Sequence, residues 1–453
     1  MRIAKWVAGI LGGLVLLALL AVLTVTVFVD PNRYRGQIES RVTRATGQPF
    51  KITGDLHISW WPWLAITTGP SQFGVPEGPN SQPIVRWQTG RVGARLVPLL
   101  KGQLLVDTIR LEGANVYLVR HADGTTNWDP VIAAFRNKPA PPPSEVEQPP
   151  SGEAVPPGPE VSGFQLRKGA LTYVDERPAS ARTVAVTNWD LDIGEWRAGS
   201  TFPVETQLAV AVGKNVRAED VKISTRLHFS DDANDIDLFG LDFSGHIHGG
   251  KLPAAGLPLE FEVSRMAVRL SPLDVSISEL SSRIQTVRLT TSVQAGETVE
   301  NKALYARGPI DLQMPSVRDG LKLFGIKASL PVDKTTFGAL HVKGMLDWQA
   351  GAINATSIDV TLDETHLTGE LSGTADAKPV WTFALHGDKI ALARYMPLEE
   401  KSKQPFELPV KALKALQARG ELTFEQATMG DTQLHGVRMR FELADGKVRT
   451  ASK

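Results

Sequence analysis

Along most of this chain apolar and polar residues alternate with a period of two. Leu259, Phe261 and Val263 alternate with Glu260, Glu262 and Ser264, and Val287, Leu289 and Val293 with Arg288, Thr290 and Gln294. The pattern returns in Ile358, Val360 and Leu362 against Asp359, Thr361 and Asp363. It runs almost to the last residue in Val437, Met439, Phe441 and Leu443 against Arg438, Arg440, Glu442 and Ala444. Successive side chains of a strand point to opposite faces, so each run predicts a strand with one apolar and one wet face. Turn signals such as Asp123-Gly124, Gly249-Gly250 and Asp445-Gly446 separate the runs and predict hairpins in series. The expected fold is mainly β: a long, twisted antiparallel sheet or meander with an apolar concave face and a few short helices.

The chain opens on a different pattern. Arg2 and Lys5 precede an uncharged, mostly apolar stretch from Trp6 to Val29, which as a helix of ~1.5 Å rise would extend roughly 36 Å and cross a ~30 Å hydrocarbon core with some tilt. A cleaved leader would carry a shorter apolar run ending in a small-x-small site, whereas Val25-Thr26-Val27-Phe28-Val29 stays bulky up to Asp30. Trp6 and Val29 therefore bound a predicted single-span membrane anchor, with residues 1–5 as a tail. Flanking charge does not orient it, because Arg33, Arg35, Arg41 and Arg44 outnumber Arg2 and Lys5. After the anchor, Asp30-Pro31-Asn32, the spacing of Ile38, Val42 and Ala45, and Gly47 predict a juxtamembrane helix. Helices are also expected from Val317 to Phe324 and from Pro409 to Gly420. Between Lys138 and Pro159 prolines crowd and apolar residues thin out, which predicts a linker over 138–160 between β-rich parts at 30–137 and 161–453.

Internal echoes are present. Ile109-Arg110-Leu111-Glu112-Gly113 resembles Phe164-Gln165-Leu166-Arg167-Lys168-Gly169, and Thr126-Asn127-Trp128-Asp129 recurs as Thr187-Asn188-Trp189-Asp190, at spacings that differ. A loosely repeated strand unit is expected.

Composition removes several function classes. Lys plus Arg and Asp plus Glu both number 49, so the chain lacks the basic excess of proteins that bind nucleic acid through phosphates, and no nucleic acid is expected as a partner. Without cysteine there is no disulfide, thiolate zinc site or thiol nucleophile. The sequence holds no Gly-x-Ser-x-Gly elbow, no Gly-x-Gly-x-x-Gly, no Gly-x4-Gly-Lys-Ser/Thr loop and no His-Glu-x-x-His. His246-Ile247-His248 would place two imidazoles on one strand face, but two ligands do not make a metal site. The run Asp231-Asp232-Ala233-Asn234-Asp235-Ile236-Asp237 lacks the glycine and a ligand of a calcium loop and reads as an exposed turn. Trp60, Trp61 and Trp63 suit either a bilayer interface or the edge of a core. No catalytic residue, metal or cofactor is expected.

The ordered segments carry a family resemblance. Asp30-Pro31-Asn32-Arg33-Tyr34-Arg35 through Thr46-Gly47, then Ile52-Thr53-Gly54-Asp55-Leu56 and Trp60-Trp61-Pro62-Trp63, resemble the opening of AsmA family proteins. Leu111 to Val116 leading to Asp123-Gly124-Thr125-Thr126-Asn127-Trp128 is similar to that family's strand, glycine and Asn-Trp pattern. Ile358 to Leu371 and Phe383 to Pro397 resemble its C-terminal motifs. The resemblance implies an inner-membrane protein of a Gram-negative cell, N-terminus cytoplasmic and body periplasmic, concerned with outer-membrane homeostasis and phospholipid movement. Similar members continue past Asp445-Gly446, so a C-terminally truncated version is expected.

One apolar face must be hidden against a second sheet, a helix layer or lipid. About 25 strands at ~4.8 Å would extend on the order of 120 Å. On the lipid reading, acyl chains of phospholipid lie along Phe261, Val263, Val360, Leu362, Met439 and Phe441. On the alternative, these residues form a closed core, and the protein is an assembly or scaffold factor that contacts outer-membrane or other envelope proteins through its sheet edges.

Overall fold

The computed structural model of the protein describes residues 30–59, 63–78, 82–95, 105–136, 160–177, 182–196, 199–230, 234–250, 252–253, 255–298, 300, 302–324, 331, 333–374, 380–395, 417–444 and 447–452. The anchor bounded by Trp6 and Val29, the tryptophans Trp60 and Trp61 and the proline-rich segment lie outside these residues. Among the described residues no helix is long and apolar enough to cross a membrane. The chain divides into two units, Met1–Arg217 and Ala218–Lys453, each taken here by itself.

In the first unit the expected helix follows the capping chemistry of its sequence. The Asn32 N–H donates to the Asp30 carboxylate at 2.9 Å and starts a 3₁₀ turn, Pro31–Tyr34; α1 (Arg35–Thr46) continues it and ends at Gly47, whose φ of 69° suits a residue without Cβ. Side chains tie this segment to the sheet: the Ile52 N–H donates to Glu39 Oε1 at 2.8 Å, the Leu56 N–H to Asn32 Oδ1 at 3.0 Å, and Arg35 to the Gly54 carbonyl at 2.8 Å.

The strands of this unit are β1 (Phe50–Ile52), β2 (Leu56–Ser59), β3 (Trp63–Thr68), β4 (Ser71–Phe73), β5 (Val85–Trp87), β6 (Thr89–Arg95), β7 (Leu105–Val106), β8 (Ile109–Glu112) and β9 (Asn115–Arg120). After α2 (Asp129–Arg136) come β10 (Glu160–Val161), β11 (Phe164–Asp175), β12 (Arg182–Ile193) and β13 (Phe202–Val212). Strands β2, β3, β6 and β8 pair antiparallel in that order, as do β1, β4, β5 and β9. The two series join on β11, whose first half pairs with β8 and second half with β9, both in parallel, before β12 and β13 add on antiparallel. Strands on both sides of the proline-rich segment therefore share one unit.

The echoed segments turn out to be neighbours: Phe164 lies opposite Ile109 and Arg167 opposite Glu112. The repeated tetrapeptide is not a structural repeat. At its first occurrence Asn127 bridges β9, donating to the Tyr117 carbonyl at 2.9 Å and accepting the Val119 N–H at 3.1 Å, while Asp129 accepts from Thr126 at the start of α2. At its second it lies inside β12, where Asn188 takes φ 51° and Trp189 Nε1 donates to Thr206 Oγ1 at 3.1 Å. Context, not the four residues, decides the conformation.

The second unit contains β14 (Val216–Phe229), whose first two residues precede the division, β15 (Asp235–Gly249), β16 (Leu257–Leu270), β17 (Leu273–Ile284), β18 (Val287–Glu297), β19 (Leu304–Met314), α3 (Val317–Leu323), β20 (Leu340–Gln349), β21 (Ala352–Leu362), β22 (Thr365–Thr374), β23 (Val380–Ala391), α4 (Leu392–Tyr395), β24 (Gln417–Met429), β25 (Thr432–Ala444) and β26 (Lys447–Ser452). From β15 to β23 each strand pairs antiparallel with the next, as the turn signals predict. Helix α3 begins as expected, with Ser316 Oγ accepting the Asp319 N–H at 3.1 Å.

Two expectations need correction. The sheet is mixed rather than an antiparallel meander, because β24 runs parallel to β23, as β11 does to β8 and β9; a parallel neighbour needs a crossover longer than a hairpin, and the chain between Ala391 and Gln417 is long enough to supply one. The helix expected to end at Gly420 does not: 409–416 lie outside the described residues, and Gln417 already starts β24. Gly420 is a point of close approach, where a methyl group would collide with the ring and carbonyl of Phe383 on β23. The reciprocal contact is Gly387 on β23, which lies under the ring of Phe424 on β24.

Phe424 is only 2% exposed. Gly387→Val would drive a branched side chain into that ring, and the expected cost is about 1–3 kcal/mol of unfolding free energy. Thermal and urea denaturation of the variant beside wild type checks this; an unchanged midpoint would mean that the ring can move aside.

Candidate functional site

The register of the second unit sorts its residues into rows that cross the sheet. Directly paired residues of neighbouring strands point to the same face. One row crosses β15 to β25 as Phe243, Phe261, Ser282, Leu289, Leu312, Val342, Val360, Leu367, Gly387, Phe424 and Val437. Another on the same face runs Ile236, Val268, Val275, Ala295, Ala306, Trp348, Ile353, Gly373, Trp381, Ala418 and Leu443, with no polar side chain in it. The adjoining row on the opposite face reads Asp242, Glu262, Ser281, Thr290, Asp311, Lys343, Asp359, Thr368, His386, Thr423 and Arg438. That face carries cross-strand polar pairs, including the hydrogen bonds of His341 with Asp311 at 2.8 Å and His366 with Asp359 at 3.0 Å and the ion pair of Arg438 with Glu421 at 3.1 Å.

Bulges hold the rows together. Glu279 and Ser357 sit at register shifts with φ of 52° and 49°. At each the apolar phase changes along the chain, from Val275 and Ile277 to Leu280, and from Ile353 and Ala355 to Ile358 and Val360. The bulge absorbs one residue, so the apolar side chains stay on one face.

The sequence-predicted residues lie on this face. Phe261 and Val360 share the first row; Val263 and Met439 lie one pleat further along, Leu362 one pleat the other way, and Phe441 between Met439 and Leu443. Phe261 stacks on Phe243 with ring centroids 4.5 Å apart, and Phe441 tilts against Phe383 at 6.3 Å. Phe261, Val360, Leu362, Met439 and Phe441 are half-buried, as are nearly all members of both rows. Val263, at 3% exposed, is sealed between Leu241 and Leu280 and offers no surface.

One end of the face is closed. Leu323 of α3 packs with Leu257 and Val287, and around them gather Ile284, Leu312, Met314 and Phe324. Beside this cluster lies a polar clasp. Arg318 of α3 donates to the carbonyls of Thr336 at 2.6 Å and Pro331 at 2.9 Å. From the other side Arg394 of α4 donates to Asp333 at 3.1 Å and to Thr335 Oγ1 at 2.8 Å. Asp363, at φ 54° in the β21–β22 turn, accepts three hydrogen bonds: from the N–H groups of Phe337 at 2.9 Å and Gly338 at 2.7 Å, and from the Tyr395 hydroxyl at 2.8 Å. Burial, and then the Asp363 carboxylate, push the Tyr395 phenol up to about 12. The Thr335 hydroxyl, the Thr335 N–H and Arg394, in that order, hold Asp333 down at about 2.

Sequence reasoning missed this clasp. Asp363, Arg394 and Tyr395 fall inside the segments quoted for the resemblance, but no spacing rule relates them to Asp333. His246 and His248 face single carboxylates, Asp220 at 4.0 Å and Glu219 at 3.4 Å. Among the described residues no group of three or more His, Cys, Asp or Glu is placed to hold a metal ion.

A protein-family model described as the AsmA family matches residues 1–423. Among curated proteins of Escherichia coli (strain K12), Protein AsmA is 31% identical over 109 residues, which make up 24% of this chain and 17% of that protein. AsmA family protein YhjG is 29% identical over 153 residues, 31% of this chain and 22% of that protein. The chain thus spans about a fifth of the length of these relatives, 17% and 22%. No solved structure matches it.

The clasp makes a pH prediction. Asp333 has a folded-state pKa of about 2, below the ~3.9 of an unperturbed aspartate, so its contribution is fully present above about pH 4 and is lost as the pH falls through about 2. The thermal midpoint of wild type should fall more steeply over that window than that of Asp333→Asn, which lacks the contribution from the start. Parallel curves by circular dichroism would show that the clasp adds nothing to stability.

Proposed function

We propose, starting from the fact that the chain belongs to the AsmA family, that it is a bacterial envelope protein that binds phospholipid acyl chains along the apolar face of its second unit. On this reading the stretch from Trp6 to Val29 anchors it in the inner membrane with the N-terminus cytoplasmic, the body lies in the periplasm, and the protein serves outer-membrane homeostasis without covalent chemistry.

The observation that carries the reading is the continuous but half-exposed apolar face. A fully buried aliphatic or aromatic side chain stabilises by about 1.5–3 kcal/mol relative to an exposed one, and a sandwich core collects that gain at every inward position. Here most positions of two eleven-strand rows collect only part of it. Acyl chains would supply the missing contact. At ~4.8 Å per strand the rows extend on the order of 50 Å, several times the ~15 Å of hydrocarbon in one bilayer leaflet. The opposite face, with its ion pairs, would remain in water while the lipid headgroups stay at the rim.

In-cell photocrosslinking tests this. A photoreactive side chain at Phe261, Val360 or Phe441 should yield phospholipid adducts by mass spectrometry, and one at Glu260, Asp359 or Glu442, on the opposite face, should not. Protein-only adducts from the first set would replace the lipid reading with that of a scaffold for envelope proteins, provided the variants fold and express.

A further inference from the structure

We propose that a cleft in the first unit, built around Arg91 and Arg110, is a binding site for a phosphate-type oxyanion. The inference is independent of the apolar face of the second unit.

The cleft has a volume of about 540 Å³, and its lining includes Thr67, Thr89, Arg91, Arg110, Arg167 and Lys168. Register brings the two central arginines together: Thr67 of β3 pairs with Arg91 of β6, Arg91 with Arg110 of β8, and Arg110 with Gln165 of β11. Like charges placed directly opposite on neighbouring strands repel, and sheets ordinarily avoid or neutralise them. The carboxylates around the cleft are already committed elsewhere. Asp192 pairs with Arg167 at 2.7 Å, Glu112 with Lys168 at 2.8 Å, and Asp190 accepts the Lys168 N–H at 2.8 Å. Among the described residues, what remains for the two arginines is one neutral acceptor, Gln165 Oε1, at 3.0 Å from Arg110 Nε. Arg91 Nε is buried and has no hydrogen-bond partner among the described residues. A buried donor left unmade is costly, and a guanidinium donor more so.

One anion in the cleft would neutralise the like charges of Arg91 and Arg110. Two guanidinium groups on adjacent strands, with Thr67 and Thr89 in the same lining, supply charged and neutral donors of the kind that bind phosphate oxygens. The volume exceeds that of a phosphate group and leaves room for an ester substituent, so the same chemistry admits free phosphate or the phosphodiester of a lipid headgroup.

The purified full-length chain in detergent, at low ionic strength, is titrated calorimetrically with two probes: inorganic phosphate, and glycerophosphoglycerol, a tail-free headgroup diester. Wild type should bind at least one of them with an affinity that falls as salt is raised. Arg110→Gln, at an exposed position, should weaken that binding by about tenfold or more, in line with the loss of a charge-assisted hydrogen bond, with an unchanged far-ultraviolet circular dichroism spectrum. Binding of the diester that depends on Arg110 identifies a lipid headgroup site; Arg110-dependent binding of inorganic phosphate alone identifies a site for free phosphate. If neither probe binds wild type, or if Arg110→Gln binds as tightly as wild type, the proposal is wrong.

Discussion

Cross-strand register is the constraint on which the second unit depends. An isolated strand with one apolar face specifies nothing beyond itself; eleven of them specify a surface only if paired positions agree in kind across every ladder. A slip of one residue at any pair would turn the following strands' apolar set to the wet side. Phe243, Phe261, Leu289, Leu312, Val342, Val360, Leu367 and Phe424 therefore depend on every pairing between them. Hydrogen bonds of the opposite face support the same alignment from outside, His341 with Asp311 and His366 with Asp359, each lying in or beside the polar row.

Bulges explain both what was legible in the sequence and what was not. The alternation of Leu259 to Val263, Ile358 to Leu362 and Val437 to Leu443 was readable, because no shift interrupts those runs. The matching residues Leu280, Ile353 and Ala355 were not, because the apolar phase changes at Glu279 and Ser357 and a count of alternate positions loses the face there. Lys168 and Asn188, at φ 53° and 51°, do the same in β11 and β12 of the first unit. The expected helix end at Gly420 was misplaced for another local reason, Gly420 lying inside β24. A glycine after a helical spacing reads as a stop, whereas this one lets the Phe383 ring lie over the neighbouring strand. The parallel pairing of β24 could not be foreseen, since the crossover between Ala391 and Gln417 carries no turn signal that reveals its return direction.

The clasp was illegible for a different reason: its partners are far apart in sequence and bond mainly to backbone. Asp363 serves Phe337 and Gly338, Arg318 serves Thr336 and Pro331, and among the described residues the charges of the clasp pair at Arg394, with Asp333 and more distantly with Glu364. Such an arrangement satisfies backbone groups that the loop between α3 and β20 has no strand to bond to, which polar chains must do wherever water is excluded. Thr336, fully buried and bonded to Arg318, marks where that exclusion is complete.

The contrast between sealed and half-exposed positions on one face separates packing from vacancy of partners. Phe424 and Phe441 are both apolar residues of neighbouring strands facing the same way, yet one is buried at 2% and the other is half-buried. Phe424 is covered sideways, its ring lying over Gly387 towards Leu367, and α4 also packs against its strand. Val263 is likewise covered by the lateral neighbours Leu241 and Leu280. Sealing by neighbours within the sheet stabilises the surface unevenly: Phe261, Trp348, Val360, Trp381 and Met439, on the same face, are half-buried. A sheet whose apolar side is consolidated laterally holds that side to one register, so each half-buried position keeps a fixed place beside its sealed neighbours.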